Sequence, residues 1–288
     1  MNVHLTGRKR RAKGIRVENL SEKTAKELRE YFLDKNRTVS GQILATLEQD
    51  PRIAVRQIAG ILQKRKLKRQ KEDHRLDLLL HYESELWDKG FRMIAGVDEA
   101  GMAPLAGPVV AAAVILPYRY KLPGLDDSKK ILNEHKRQRL AARIKQEALS
   151  WAVGRTEPEE IDRINIYQSG LLAMRRAVEG LHLQPDFVLV DARSIPHCPH
   201  PQKGIIHGDA LSASIAAASI IAKTTRDAHM AEMDRIYPGY GFASHKGYPT
   251  PDHLRVLKER GALPIHRKTF APVREVVSSH HEQKELFR

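Results

Sequence analysis

The sequence predicts an α/β or α+β fold, a sheet with helices packed on it, behind a separate basic helical appendage. Three observations carry this. From Arg92 onward, short apolar strand signals alternate with helical ones. Positive charge is concentrated ahead of that point. Residues 1–75 hold 20 Lys and Arg against 9 Asp and Glu, whereas the remainder holds 29 against 26. The first strand signal also carries two adjacent acids, Asp98 and Glu99, inside the apolar, glycine-punctuated run IAGVDEAGMAPLAGPVVAAAVILP.

The elements follow in order. Residues 1–17, with RKRRAKGIR at their heart, read as a segment disordered or folded only on binding. Ser21 is the expected N-cap of a helix to about Leu33, and Ser40 that of Gln42 to Gln49. Asp50-Pro51 opens a helix through Ile53, Val55, Ile58 and Ile61 that runs into the basic stripe KRKLKRQK at 64–71. Residues 75–90 read as a further amphipathic helix closed by Gly90. Ile94–Asp98 and Val109–Leu116 read as buried strands, Asn133–Leu149 as a helix and Trp151–Thr156 as a strand. Pro158–Leu181 holds one or two helices; Phe187–Asp191 and Gly204–His207 are short strands. Leu211–Asp227 is alanine-rich and apolar nearly all round, hence a buried helix. A Gly- and Pro-rich loop, Tyr237–Pro251, leads to a helix Pro251–Arg260 that stops at Gly261. The domain reading is a basic helical appendage over 1–75, a main domain over 76–273 and a flexible tail over 274–288.

Composition narrows the function classes. The net charge of +14 favours a polyanion partner, nucleic acid first. The single cysteine, Cys198, excludes an internal disulfide and a cysteine-built zinc cage, and suits a reducing cytoplasm. No apolar segment follows the basic N-terminus, as a secretory signal would require. The longest apolar run is broken by Pro104, Gly107 and Pro108, so no membrane is expected.

The acids point to chemistry. Burying a carboxylate costs several kcal/mol unless it is paired or bound to metal. Asp98, Glu99, Asp191 and Asp209 all sit where a strand ends or a helix begins. Oxygen-only donors suit Mg²⁺ or Mn²⁺, and two such ions can promote phosphodiester hydrolysis. Asp227 and Glu134 are further acids of the same domain. Taken singly, each acid is as readily an N-cap or a surface group.

The string GVDEAGMAPLAGPVVAAAVIL at 96–116 resembles the opening motif of bacterial ribonuclease HII. Further strings fall in that family's order: LDDSKKI, INIYQSGLLAM, LVDA, GDALSASIAAASIIAKTTRD, YPGYGFASHKGYPTPDH and HRKTFAPV, so the likeness covers residues 75–273. The resemblance implies an RNase H-like mixed β-sheet flanked by helices, here with a C-terminal helical region. It implies a metal-dependent endoribonuclease. Such an enzyme cuts the RNA strand of RNA–DNA hybrids and ribonucleotides embedded in duplex DNA, leaving 5′-phosphate and 3′-hydroxyl ends. It assigns Asp98, Glu99, Asp191 and Asp209 to catalysis and to holding two Mg²⁺ or Mn²⁺ ions, with Asp227 as the alternative fourth acid. Ser128, Lys129 and Lys130 match a phosphate-contacting loop, and Tyr248 matches the tyrosine that stacks under a sugar. Excision of ribonucleotides or primers by a cytoplasmic monomer follows from the same likeness.

The chain departs from the family at Gly101-Met102-Ala103, where Gly-Arg-Gly is usual, and at Leu211, where lysine is usual. Met102 lacks a guanidinium that could hold a phosphate. Ala103 adds a methyl where glycine permits close approach and positive φ. The expected result is retained hydrolysis with weaker preference for a single-ribonucleotide junction. Near the C-terminus, Gln283, Leu286 and Phe287 resemble a peptide that docks on the bacterial sliding clamp. HCPH at 197–200 reads as a loop, and His207 and His245 as structural or surface groups. Two rival readings are a catalytically impaired nucleic-acid-binding protein tethered to a clamp, and a resolvase-type nuclease; the latter leaves the ordered motifs unexplained.

Overall fold

A computed structural model describes residues 17–286 and divides into two units, Met1–His74 and Arg75–Arg288. In the first unit, a 3-10 turn at Val17–Asn19 precedes helices α1 (Ala25–Arg29), α2 (Gly41–Glu48) and α3 (Ile53–Leu79), the last crossing the boundary. The cap of α1 is Thr24, not Ser21. Thr24 accepts from the Glu27 amide while Glu27 accepts from the Thr24 amide, a reciprocal box that Ser21 has no partner to form. Ser40 caps α2 as expected. Asp50 does not cap by itself. Its carboxylate takes the Arg52 amide and guanidinium, and that hydrogen bonding, against slight desolvation, holds its pKa at about 2. Arg52 in turn donates to the carbonyl of Lys23 at 2.5 Å. Leu28, Phe32, Leu47, Val55 and Ile58 form a small core. The stripe at 64–71 stays helical and mostly exposed. With no glycine or proline between 61 and 89, α3 continues to Leu79 where the sequence suggests a new start at 75.

The second unit runs α4 (His81–Asp88), β1 (Ile94–Ala100), β2 (Val109–Ile115), α5 (Glu134–Glu147), β3 (Ser150–Thr156), α6 (Pro158–Ile164), α7 (Ile166–Glu179), β4 (Phe187–Asp191), β5 (Gln202–Ile205), α8 (Gly208–Leu211), α9 (Ala213–Ile236), α10 (Phe242–His245), α11 (Pro251–Arg260) and α12 (Ala271–Leu286). The sheet order is β3-β2-β1-β4-β5; β1, β2 and β3 are antiparallel, whereas β4 lies parallel to β1 and β5 parallel to β4. This is the mixed sheet flanked by helices that the resemblance implies. Asn165, at φ 68°, divides Pro158–Leu181 into two helices and caps the second. The fifth strand sits two residues earlier than expected, because His207 takes a left-handed φ of 58° and turns the chain into α8.

Strand alternation sorts the core into two faces. Ile94, Ala112, Val114 and Leu189 pack with α9; Ala95, Val97, Ala111, Val188 and Val190 pack with α7. Gly96 and Gly154 let the helices reach the sheet. A Cβ on Gly96 would lie 2.0 Å from the Ser214 carbonyl carbon, and one on Gly154 2.0 Å from the Ala173 oxygen. The flexible tail expected from 274 is instead helical backbone to Leu286. Val273 and Val276 recur at helical spacing and bury against Leu105 and Leu257. The basic segment 1–16 and Phe287 lie outside the described residues.

Candidate active site

The pleat places Asp98 and Asp191 on the α9 face of neighbouring parallel strands, since Val97 pairs with Val190 one rung earlier. Glu99 leaves β1 toward the opposite face. Asp98 is buried, and its Oδ1 accepts the Glu99 amide at 2.7 Å. Asp191 Oδ1 accepts the Gly208 amide at 2.7 Å, which brings the start of α8 beside it. Asp209, the next residue, is buried, and its Oδ2 meets Lys129 Nζ at 3.0 Å. Arg193 approaches Glu99 Oε1 at 3.4 Å, while Glu99 Oε2 is buried with no partner.

These acids share one field. Burial, then the charges of Glu99, Asp191 and Asp209, drive the Asp98 carboxyl well above the usual range, against the pull of the Glu99 amide. Burial raises Glu99, partly offset by Arg193. Burial and then Asp209 raise Asp191. Burial opposes the charge on Lys129, but its bond to Asp209 and the fields of Asp209, Asp98 and Asp127 outweigh it and raise its pKa. An excess of negative charge is thus buried at the ends of two strands with one ammonium among it.

As the side chains stand, no three His, Cys, Asp or Glu among the described residues converge into a ready metal cage. The donor set nevertheless fits a hard divalent cation. It consists of carboxylate oxygens, their mutual repulsion favours added positive charge, and Glu99 Oε2 is an orphaned buried acceptor.

The other sequence-predicted residues separate. Asp227 stands apart from this field, bonded to Lys223 at 2.7 Å and near Arg137 at 3.6 Å. Ser128 is buried, its hydroxyl 2.7 Å from that of Ser219, so it anchors the loop rather than facing a ligand. Lys129 reaches Asp209, and the exposed Lys130 lies 3.6 Å from Asp126. Ala103 is exposed and does not have positive φ, so its methyl meets no backbone strain. Met102 is half-buried, with its sulfur close to Gly170. Tyr248 is 39 % exposed.

Two residues invisible to the sequence reading organise this loop. Arg226 and Arg267 are fully buried and face carbonyls, not acids. Arg226 donates to Pro108 and Ala106 at 3.0 and 3.1 Å. Arg267 donates to Gly101 at 2.6 Å, Gly107 at 2.9 and 3.0 Å, and Met102 at 3.1 Å. Gly101, at φ +97°, is required here: a Cβ would fall 2.2 Å from Arg226 Nε. Desolvation lowers both arginine pKa values, and Arg226 lowers that of Arg267 further. Their only sequence signal is their place inside the TTRD and HRKTF strings.

A histidine chain holds the Tyr248 loop. The Leu263 amide donates to His266 Nδ1 at 2.9 Å, His266 Nε2 lies 3.1 Å from His253 Nε2, and His253 Nδ1 lies 2.9 Å from the Tyr248 carbonyl. The amide makes His266 Nδ1 an acceptor, so its Nε2 carries the proton and donates; His253 then donates from Nδ1. Burial and the neighbouring histidine lower His266 to about 4, and burial lowers His253. His245 stacks on His253 at 4.3 Å and is structural.

Comparison with known proteins bears on the fold and the family. The chain is similar to the crystal structure of ribonuclease H2 from Pyrococcus horikoshii OT3, with TM-score 0.56, 25% identity, and coverage of 65% of this chain and 98% of that one. It is also similar to the ribonuclease HII in a PCNA complex from Archaeoglobus fulgidus, with TM-score 0.52, 27% identity, and coverage of 61% and 92%. Fold and acid-lined strand ends together define a nuclease of the RNase H fold class. In sequence, the family Ribonuclease HII matches residues 95–273, and Ribonuclease HII N-terminal domain matches 24–87. Ribonuclease HII of Myxococcus xanthus is 60% identical over 91% of this chain and 89% of its own length; that of Anaeromyxobacter is 55% identical over 95% and 86%. The chain belongs to the ribonuclease HII family of endoribonucleases.

Proposed function

We propose that this endoribonuclease cuts the RNA strand of RNA–DNA hybrids and single ribonucleotides in duplex DNA, leaving 5′-phosphate and 3′-hydroxyl ends. The observation that carries the reading is the gathering of Asp98, Glu99, Asp191 and Asp209 into one buried, under-neutralised field. Those four residues would hold Mg²⁺ or Mn²⁺. When bound, such ions supply an activated water and offset charge developing on the phosphate and the departing oxygen. The protein's own part is positional. The Gly208 amide orients Asp191, Arg193 sits on Glu99, and Lys129 is poised over Asp209 to follow a phosphate. The arginine-clamped carbonyl loop 101–107 presents its backbone to the 2′-hydroxyl, which distinguishes RNA from DNA. Tyr248, exposed beside that loop, supports the neighbouring sugar, and Lys130 meets the backbone. The basic face at 64–71 adds salt-sensitive, sequence-independent affinity.

A sliding clamp is the proposed protein partner. The supporting observation is the archaeal complex with PCNA; in this chain Gln283, Leu286 and Phe287 would supply the contact. The described residues contain no helix long and apolar enough to cross a membrane, and we place the enzyme's work in the cytoplasm.

The test is incubation of a one-ribonucleotide duplex and an RNA–DNA hybrid with Mg²⁺ or Mn²⁺, beside Asp191→Asn. Both substrates should be cut, and the variant should lose about a thousandfold or more. Binding without cleavage of either substrate would replace this reading with the impaired binding protein.

A further inference from the structure

Glu83 is a buried carboxylate that the reading above does not use. It lies in α4, within the span 24–87 matched by the ribonuclease HII N-terminal domain, and is 3 % exposed. One oxygen, Oε1, accepts three hydrogen bonds: from the Ser212 hydroxyl at 2.6 Å, the Ser214 amide at 2.9 Å and the Ser214 hydroxyl at 2.7 Å. Ser212 is the N-cap of α9 and already accepts the Ile215 amide, so the helix end has its own cap. Glu83 adds three bonds at the start of this 24-residue helix, and burial raises its carboxyl pKa against the pull of those bonds.

What that helix end touches gives the bonds their meaning. The Ser212 amide donates to the Gly208 carbonyl at 2.8 Å, which ties the cap directly to α8. α8 carries Asp209, and the amide of its first residue, Gly208, holds Asp191. At the same place the backbone of Ser214 rests on β1 at Gly96, two residues from Asp98 on the same sheet face. Asp209 and Asp191 therefore hang on one short stretch, 208–214, which also packs on β1 two residues from Asp98, and Glu83 bonds that stretch. Its second oxygen is buried without a partner, a cost that simple capping does not require.

We propose that Glu83 is a positioning residue for the active site: through Ser212 and Ser214 it sets the α8–α9 turn that aligns Asp209 and Asp191 beside Asp98. This rests on the acid-site reading above. The experiment compares full-length wild type with Glu83→Ala, Glu83→Gln and Asp191→Asn. It measures kcat and KM on an RNA–DNA hybrid with Mg²⁺, and amide hydrogen exchange in the absence of metal. Glu83→Ala should lose about tenfold in kcat with KM unchanged, the scale of a small misalignment. Exchange should quicken at 208–214 while the amides of β1, β2 and β3 keep wild-type protection. Glu83→Gln retains an acceptor oxygen and should recover most of the loss. Wild-type kcat in Glu83→Ala overturns the proposal. So does a loss accompanied by faster exchange throughout 75–288, which would mark a residue that only supports the fold. If Glu83→Ala does not fold, Ser214→Ala removes one of the three bonds and should show the same local exchange with a smaller fall in kcat; wild-type behaviour there also overturns it. An inactive Asp191→Asn beside a normal Glu83→Ala sinks this inference alone, whereas an active Asp191→Asn sinks the acid-site reading.

Discussion

Two buried clusters of opposite charge lie on either side of Gly101. Before it, Asp98 and Glu99 join Asp191 and Asp209; after it, Arg226 and Arg267 grip the loop at 101–108. The cations are satisfied, since their donors meet carbonyl oxygens at 2.6 to 3.1 Å. The anions are not: Glu99 Oε2 has no partner, and burial, then the charge of neighbouring acids, raises the carboxyl pKa values of Asp98 and Glu99, Arg193 partly offsetting the latter. A cluster satisfied within the chain is scaffold. A cluster left with excess charge is one that the proposed cations would complete.

That contrast can be broken from the cationic side. Arg267→Met strips the donors from the carbonyls of Gly101, Met102 and Gly107 and should cost about 3 kcal/mol of stability in urea unfolding. A cost within experimental error of zero would mean that the loop holds itself. The histidine chain sharpens the same point with pH. His266 is held to about 4 in the fold and titrates near 6.5 unfolded. As pH falls through that window the unfolded chain takes up a proton that the folded chain refuses, so stability drops. The loss should reach on the order of 3 kcal/mol. Buried acids with raised pKa values act oppositely, so the measurement is the difference between wild type and His266→Gln from pH 7 to 4.5. That difference should narrow steadily on acidification. The smallest effect is expected at the departing motif. Met102→Arg/Ala103→Gly should raise preference for a single ribonucleotide over an all-RNA strand by about tenfold or less, because Ala103 has no strained backbone to relieve. Equal preference in the two proteins would remove Met102 and Ala103 from specificity.

The acids were legible before any coordinates because their oddity is local. Two carboxylates in an apolar strand, a third ending FVLVD and a fourth opening a helix break the pattern that burial imposes. Sequence could not rank Asp209 against Asp227, since both sit on helical segments of the same domain. Space separates them, by the bond to Lys129 in one case and the pairing with Lys223 and Arg137 in the other. Ser128 matches a phosphate-contacting loop by family resemblance, but its hydroxyl turns inward to Ser219. The segment from 274 reads as a flexible tail in sequence, but Val276 packs with Leu105, far away in the chain.

Strand and helix order, the charge asymmetry and the presence of acids in apolar surroundings follow from the chain alone, because periodicity and the cost of burying charge act over a few residues. The arginine clamp, the histidine chain and the grip of Glu83 arose only on folding. Each includes a bond between groups at least 13 positions apart, and as many as 166 in the arginine clamp, and a hydrogen bond to a backbone carbonyl leaves no mark on the residue type that accepts it.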